Sequence, residues 1–458
     1  MANLTRRDFL KTTAAGVAAA NLPLLWARGL GAASATRPIR PNIVLVMTDD
    51  QGWGDTGYNS GGKVKTPNLD AMAAAGLRFD RFYAAAPVCS PTRASVLTGR
   101  HPNRCRCFTY GKPMPLAERT LAEVLRAAGY VTGHFGKWHL NGRSGPGKPI
   151  SAKDPLHPGR SGFDEWFSVS NYFDLNTAFG RHDGTTVETR GDGSDVIVAE
   201  AQKFIARAAE KKQPFLAVVW YGSPHNPHKA LPADRKTFGN DYYGEIGAVD
   251  RSVGALRAHL RRLGIADDTI VWFCSDNGGA RGPRSTGGLR GQKGSLWEGG
   301  VRVPGLIAWP RRIARPAATA VPACTTDIFP TIVDLLGLTV ADPVLPLDGV
   351  SLAPLLAGKM PRRTKPIPFW VYRSGKRGPG HMALIDDRWK LHLHPVMGRR
   401  PTASAPAVLL YDLLKDPKET TDLAAREPKR VAAMTAALRR WEASVRASLA
   451  GKDYPKKA

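Results

Sequence analysis

The chain predicts an α/β fold built on a largely parallel sheet, and three observations carry that prediction. Continuous apolar runs at residues 42–47, 215–220 and 269–273 read as strands buried on both faces, as parallel strands are. A helical stripe of Ile246, Val249, Val253, Leu256 and Leu260 lies between the last two runs. Polar clusters close the runs: Thr48-Asp49-Asp50, Ser223-Pro224-His225 and Ser275-Asp276-Asn277-Gly278. Ligands bind at the carboxyl ends of strands in such sheets, so a site is expected there.

The chain starts with a targeting pattern. Thr5-Arg6-Arg7-Asp8-Phe9-Leu10-Lys11 carries twin arginines, a mildly apolar stretch follows over residues 12–30, and Ala33-Ser34-Ala35 supplies small residues for cleavage. The pattern resembles a twin-arginine (Tat) signal, so residues 1–35 are expected to be removed. It implies the Tat translocase as a partner and a periplasmic or secreted location. No other run of about 18 apolar residues occurs, so no stable membrane insertion is expected after signal removal.

The 458 residues suffice for a large domain and a small one, read as a catalytic domain over 36–365 and a C-terminal subdomain over 366–458. There are 65 Lys+Arg against 39 Asp+Glu, a net charge of +26, which suits polyanionic substrates. No zinc-finger or RNP-like motif is present, and no nucleic acid partner is expected. Five cysteines are too few for a disulfide framework. Cys105 and Cys107 read as structural, because a single intervening residue strains a bridge and no second cluster completes a zinc site. A bridge among Cys105, Cys107, Cys274 and Cys324 is left open.

Along the mature chain, Thr66-Pro67 reads as the cap of a helix carrying Leu69 and Met72 and closed by Gly76. Thr120 and Glu123 form a capping box for a helix reaching Gly129, followed by an extended stretch and Gly136-Lys137-Trp138-His139. Residues 141–193, rich in Gly, Pro, Arg and Asp, read as loops over the site, where substrate is selected. A helix is expected from about Asp195 to Lys211. A Gly-rich segment with Lys293 and Glu298 leads to another apolar run at 303–308. Beyond 365, short strands at 369–372, 382–385, 389–393 and 408–410 and a final stripe (Val431, Met434, Leu438, Trp441, Val445, Leu449) predict a small antiparallel sheet with one helix.

One stretch adds chemistry. Cys89-Ser90-Pro91-Thr92-Arg93-Ala94-Ser95-Val96-Leu97-Thr98-Gly99 reads as a short helix with a cysteine at its mouth and a left-handed glycine at its end. Its Cys-x-Pro-x-Arg and Leu-Thr-Gly resemble the signature of the formylglycine-dependent sulfatases. Gly136-Lys137-Trp138-His139 resembles the family's second signature, and Tyr411-Asp412-Leu413 with Asp416-Pro417 and Glu419 its closing segment. The resemblance covers nearly the whole mature chain and is strongest to the arylsulfatase A and N-acetylgalactosamine-6-sulfatase branch. Asn141, where many relatives have glycine, departs from it.

The resemblance implies an alkaline-phosphatase-like sandwich with a large, mostly parallel central sheet flanked by helices, plus the small C-terminal antiparallel sheet. It implies that a maturation enzyme oxidises Cys89 to Cα-formylglycine, and that Asp49, Asp50, Asp276 and Asn277 with residue 89 hold a divalent cation. Hard oxygen donors suit Ca²⁺ or Mg²⁺, and the family favours Ca²⁺. The expected substrate is a sulfated small molecule or glycan. A hydrated aldehyde carries two hydroxyls on one carbon: one attacks sulfur as the alcohol departs, and deprotonation of the other expels sulfate and restores the aldehyde. By the same resemblance Lys137 and Lys293 neutralise sulfate oxygens, His225 is the acid for the leaving alcohol, His139 the base for elimination, and Arg93 orients the hydrate. His228 is read as lining the pocket. The alternatives are a formylglycine-dependent phosphonate or phosphodiester hydrolase, which shares aldehyde and metal, and a non-catalytic binder of sulfated polysaccharide.

Overall fold

Alternate residues of the first strand, β1 (Asn42–Thr48), enter two different cores, which is why its sequence is apolar throughout. Ile43, Leu45 and Met47 pack with Leu216, Val218 and Trp220 on one face. Val44 and Val46 pack with Ala217 and Val219 on the other. The structure is a computed structural model that describes residues 40–313, 315–340, 345–371, 380–396 and 406–454.

Among these residues the central sheet has ten strands. Its heart is parallel: β2 (Val131–Lys137), β3 (Glu165–Val169), β4 (Phe215–Trp220) and β5 (Thr269–Ser275) join β1 in the order β5-β1-β4-β2-β3. β6 (Gly305–Ala308) runs antiparallel to β5. Leu77–Phe79 and Ala317–Thr319 extend that edge, and Ala178–Arg181 and Thr186–Glu188 extend the other. The first core receives α1 (Cys89–Thr98) through Ala94, Val96 and Leu97. The second is covered by α2 (Gly193–Glu210) and α3 (Asp241–Arg262). This is the expected sandwich.

The C-terminal sheet has four antiparallel strands, Ile367–Trp370, Met382–Asp386, Trp389–Leu393 and Val408–Asp412. One face packs on the last helix, α4 (Pro428–Leu449), through Met434, Leu438 and Val445. The other packs on Tyr83, Leu296, Trp297 and Val301, so the sheet backs the Gly-rich segment.

Several boundaries differ from expectation. α2 starts at Gly193 because the Asp192 side chain accepts the Ser194 N–H at 2.8 Å and caps it, two residues ahead of the forecast. The forecast strand at 369–372 lies at Ile367–Trp370 instead, and Tyr372 falls outside the described residues. The last strand continues to Asp412, held by pairing with Trp389 and Lys390. Thr66 is the N-cap residue of its helix, with Pro67 in the first turn, but its side chain makes no capping bond; its hydroxyl takes the Gly57 N–H at 2.7 Å. Gly76 is extended, and it is glycine because a Cβ there would lie 2.3 Å from the Ile307 carbonyl oxygen. All five cysteines are buried free thiols.

A buried carboxylate ties α4 to the end of α1. Asp348 takes both Arg104 Nε and Nη2 (2.8 and 3.1 Å), the His101 N–H (2.6 Å) and Trp441 Nε1 (2.7 Å). Burial raises its pKa, but Arg104 and the His101 contacts outweigh burial and hold it at about 2. A depressed carboxylate stabilises the fold above its unfolded pKa of about 3.9, and that stability is lost as the pH falls through about 2. Asp348→Asn is therefore expected to lower stability at pH 7 by about 2–3 kcal/mol and to flatten the pH dependence between about pH 4 and 2. Denaturant midpoints measured across that window check both.

Candidate active site

Register assembles the site. Thr48 pairs with Ser275, so the next residues of β1 and β5 emerge side by side. The Asp276 N–H donates to Thr48 O (3.1 Å), and the Asp49 N–H donates to Ser223 O (3.1 Å), drawing the segment before His225 alongside. Asp50 is left-handed, with φ 63°. Its N–H donates to Asp276 Oδ1 (3.2 Å) and its Oδ1 accepts Asn277 Nδ2 (2.8 Å), contacts that hold this sparsely populated conformation. Lys137 is the last residue of β2. Two residues on, His139 has φ 54° and its N–H donates to Ser170 O (3.0 Å).

α1 brings the cysteine to this edge. Gly99 closes the helix at φ 67°, its N–H returning to Ser95 O at 2.9 Å. At the other end the Cys89 Sγ lies 3.5 Å from Asp49 Oδ1, facing the positive end of the helix dipole. Candidate ligand atoms of Asp49, Asp50, Cys89 and His225 all lie within 4.8 Å of one another. One turn into the helix, the fully buried Arg93 donates Nη2 to Asp276 Oδ2 (2.7 Å) and Nη1 to Lys137 O (3.1 Å). Its guanidinium also lies 4.0 Å from Asp49 Oδ1 and 5.1 Å from the Trp220 ring centroid.

Charge is balanced across these groups. Lys137 Nζ stands 2.5 Å from Asp49 Oδ2, and Lys293 Nζ stands 2.7 Å from Asp50 Oδ2. Burial raises Asp49, but Lys137, His225 and Arg93 outweigh it and hold its carboxyl well below the usual range. Burial, with Asp49 beside it, pushes Asp276 up to about 7. Burial opposes charge on Lys293, yet Cys89, Asp50 and Asp49 more than offset it and raise its pKa.

The histidines differ in kind. His139 is buried with neither ring nitrogen hydrogen-bonded, and burial, then Lys137 and Arg93, depress its pKa well below 6.5. It is a neutral imidazole with a free lone pair. His225 places Nδ1 2.5 Å from Asn226 O; a carbonyl only accepts, so Nδ1 carries a hydrogen and Nε2 is the nitrogen that gains and loses a proton. That Nε2 lies 3.7 Å from Asp50 Oδ2. His228 stands apart, with Nδ1 3.8 Å from Glu245 Oε2.

Apart from His228, the candidate site residues thus gather at the carboxyl-terminal end of the central strands, with Lys293 held by its N–H to Gly279 O (3.1 Å). Sequence reasoning missed the supports. Tyr172 stacks on His225 (4.5 Å between centroids, 13° between planes). Asp55 Oδ2 accepts the Gly52 N–H (2.9 Å) and the Tyr242 hydroxyl (2.5 Å), fixing the turn beyond Asp50. Buried Lys390 bridges Glu298 (2.9 Å) and Glu419 (3.1 Å), clamping the Gly-rich segment to the C-terminal sheet. The sequence singled out Glu298 and Glu419 separately, but not the Lys390 that joins them.

The chain is similar to known proteins along most of its length. Residues 41–338 match the family described as Sulfatase, residues 292–444 match N-sulphoglucosamine sulphohydrolase, C-terminal, and residues 3–23 match the TAT (twin-arginine translocation) pathway signal sequence. N-acetylgalactosamine-6-sulfatase of Canis lupus familiaris is 34% identical over 414 residues, spanning 81% of this chain and 74% of its own length. Arylsulfatase A of Bos taurus is 34% identical over 459 residues, spanning 88% and 86%. The crystal structure of Ps i-CgsB in complex with k-i-k-neocarrahexaose superposes with a TM-score of 0.77 at 27% identity, over 88% of this chain and 92% of that one.

Proposed function

The chain belongs to the sulfatase family, and from that premise we propose that it cleaves an aryl sulfate or a sulfated carbohydrate with residue 89, matured to formylglycine, as nucleophile beside a divalent cation. That it is a sulfuric ester hydrolase follows from the family and its relatives. The Tat signal makes it an exported, periplasmic or secreted protein. The finer reading rests on one observation: the helix mouth at Cys89 opens onto Asp49 and Asp50, which Lys137 and Lys293 neutralise.

The residues fit a cation. Asn277 Oδ1 is buried without a hydrogen-bond partner, while its amide nitrogen is spent on Asp50, so an acceptor oxygen is left for a ligand. With Asp49, Asp50 and Asp276 the donor set is hard oxygen throughout, and replacing the Cys89 sulfur by a formylglycine oxygen removes its one soft atom. Ca²⁺ is the preferred ion and Mg²⁺ the alternative. When bound, such a cation withdraws charge from the nucleophilic oxygen and the sulfate.

The chain's own residues supply the rest. Lys137 and Lys293 stabilise charge on the sulfate oxygens. His225 Nε2 delivers the proton to the departing alcohol, and the unpartnered His139 takes the proton whose loss expels sulfate. Arg93 orients the hydrate and holds Asp276 in place. Comparing turnover of p-nitrophenyl sulfate with that of an aryl phosphonate diester tests the reaction class. Preference for the diester would make the chain a phosphonate hydrolase, and binding of sulfated polysaccharide without any turnover would make it a binder.

His225→Ala should slow release of a sugar alcohol by about 10²–10⁴-fold, the usual worth of a general acid, and slow release of nitrophenol far less. Nitrophenolate leaves with little protonation. Equal losses on both substrates would remove the acid assignment. His139→Ala should instead let a sulfated enzyme accumulate, visible by intact mass.

The signal and the cysteine belong to one route. Oxidation of Cys89 needs the motif accessible, before α1 packs into the core, where all ten of its residues are buried. A chain modified by a cytoplasmic maturation enzyme then folds and crosses as folded cargo, which the Tat route carries. Arg6→Lys with Arg7→Lys is expected to leave modified, active enzyme in the cytoplasm. Recovery of enzyme from the periplasm of a strain lacking the Tat translocase would overturn this account.

A further inference from the structure

Two adjoining cavities border the site on the side of the 141–193 segment. The larger, about 560 Å³, is walled by Asn141 and Ser170, neighbours of His139, and carries Arg143, Lys148 and Lys153. The smaller, about 280 Å³, is lined by Tyr172, Pro227 and Lys229 and so abuts His225, on which Tyr172 stacks. Pro146 and Pro149 line both, so the two cavities adjoin as a groove over residues next to His139 and His225.

The basic wall is built, not loosely draped. Gly147 N–H donates to Tyr172 O (2.8 Å), Lys148 N–H to Ser170 Oγ (3.0 Å) and Ile150 N–H to Ser168 O (3.2 Å), with Pro149 paired to Val169. These bonds fasten the segment to the residues that also receive the His139 N–H. The side chains of Arg143, Lys148 and Lys153 are exposed, and none forms an ion pair among the described residues. The acid in the larger cavity, Asp154, is already engaged: Oδ2 accepts Asn141 Nδ2 (2.9 Å) and Oδ1 accepts the Leu156 N–H (2.9 Å). A concave wall with excess positive charge concentrates anions beside the reacting centre.

We propose that this groove binds further sulfate groups of the same saccharide chain, through Arg143, Lys148 and Lys153, so that the substrate is a polysulfated oligosaccharide longer than the unit that is cleaved. The inference rests on the sulfatase reading and adds to it a substrate class and the residues that select it. A monosulfated aryl ester occupies only the catalytic end and gains from the groove no more than its long-range, salt-screened attraction.

The test measures binding apart from turnover. In a Cys89→Ala background, calorimetry with sulfated dextran oligosaccharides compares Arg143→Glu/Lys148→Glu/Lys153→Glu with Lys211→Glu/Arg261→Glu/Arg262→Glu. The second triple makes the same charge change at the opposite, amino-terminal end of the sheet, just after α2 (Lys211) and in the last turn of α3 (Arg261, Arg262). The groove variant should raise Kd by about tenfold or more, and the control should stay within about twofold. With Cys89 intact, the groove variant should keep the wild-type kcat on p-nitrophenyl sulfate, and any rise in KM from lost charge attraction should disappear at high salt. Equal weakening by both triples, no weakening by the first, or loss of p-nitrophenyl sulfate turnover in it would each overturn the proposal. If the wild type turns over no sulfate ester while the groove variant alone loses dextran sulfate, the hydrolytic reading fails and the groove stands.

Discussion

Cys89→Ala should abolish sulfate ester hydrolysis, by on the order of 10⁵-fold or more, while leaving a folded protein. The thiol is buried at the mouth of α1 against Asp49, and burial pushes its pKa up, so as a cysteine it is a poor thiolate nucleophile at neutral pH. A high-pKa thiol among carboxylates makes sense as a precursor rather than as the reagent itself. Active protein should therefore be lighter than the encoded chain by about 18 Da, the thiol-to-aldehyde difference. Cys89→Ser discriminates further. A serine hydroxyl attacks but has no geminal partner to expel sulfate, so it should give one burst of product and a protein heavier by about 80 Da, one SO₃. Full activity in Cys89→Ala, or active wild type with an unmodified thiol, would remove the central claim.

What the sequence revealed and what it hid have different physical causes. Asp49, Asp50, Asp276 and Asn277 stood out because a continuous apolar run fixes where a buried strand ends; their reading as cation ligands came from the resemblance of the Cys89 motif to the sulfatases. Cys89 and Arg93 lie one helical turn apart, so a local motif contains both. Pairings across the fold were not legible. Lys137 meets Asp49 and Lys293 meets Asp50 over separations of 88 and 243 residues, and only the strand order β5-β1-β4-β2 brings them together. Tyr172 and Trp220 escaped notice because an aromatic residue that supports a histidine or arginine looks like any core aromatic until the partner is placed. Edge strands such as Leu77–Phe79 and Thr186–Glu188 are three residues long, too short for a period of two to stand out. The start of α2 slipped because the capping Asp192 precedes Gly193-Ser194, residues whose own preference is for turns.

Arg93→Ala should cost the fold about 3–5 kcal/mol as well as activity, because it strips a buried guanidinium from carboxylates that cannot reach water. Arg93 is fully buried and its Nη2 is the 2.7 Å partner of Asp276 Oδ2. Without it Asp276 faces Asp49 with only Lys137 between them in charge, and Lys137 is already committed to Asp49. Arg93→Lys is not conservative here. An ammonium lacks the planar fork that reaches both Asp276 and the Lys137 carbonyl while lying against Trp220. The pairwise logic gives a sharper test than either single variant. Adding Asp276→Asn to Arg93→Ala removes the stranded charge and should recover a large part of the lost stability, a coupling that denaturant melts of the four proteins measure directly. On the proposed mechanism activity should not return, because the amide restores neither the orientation of residue 89 nor the carboxylate proposed as a cation ligand. Strictly additive losses in stability would mean that Arg93 acts through α1 packing rather than through Asp276.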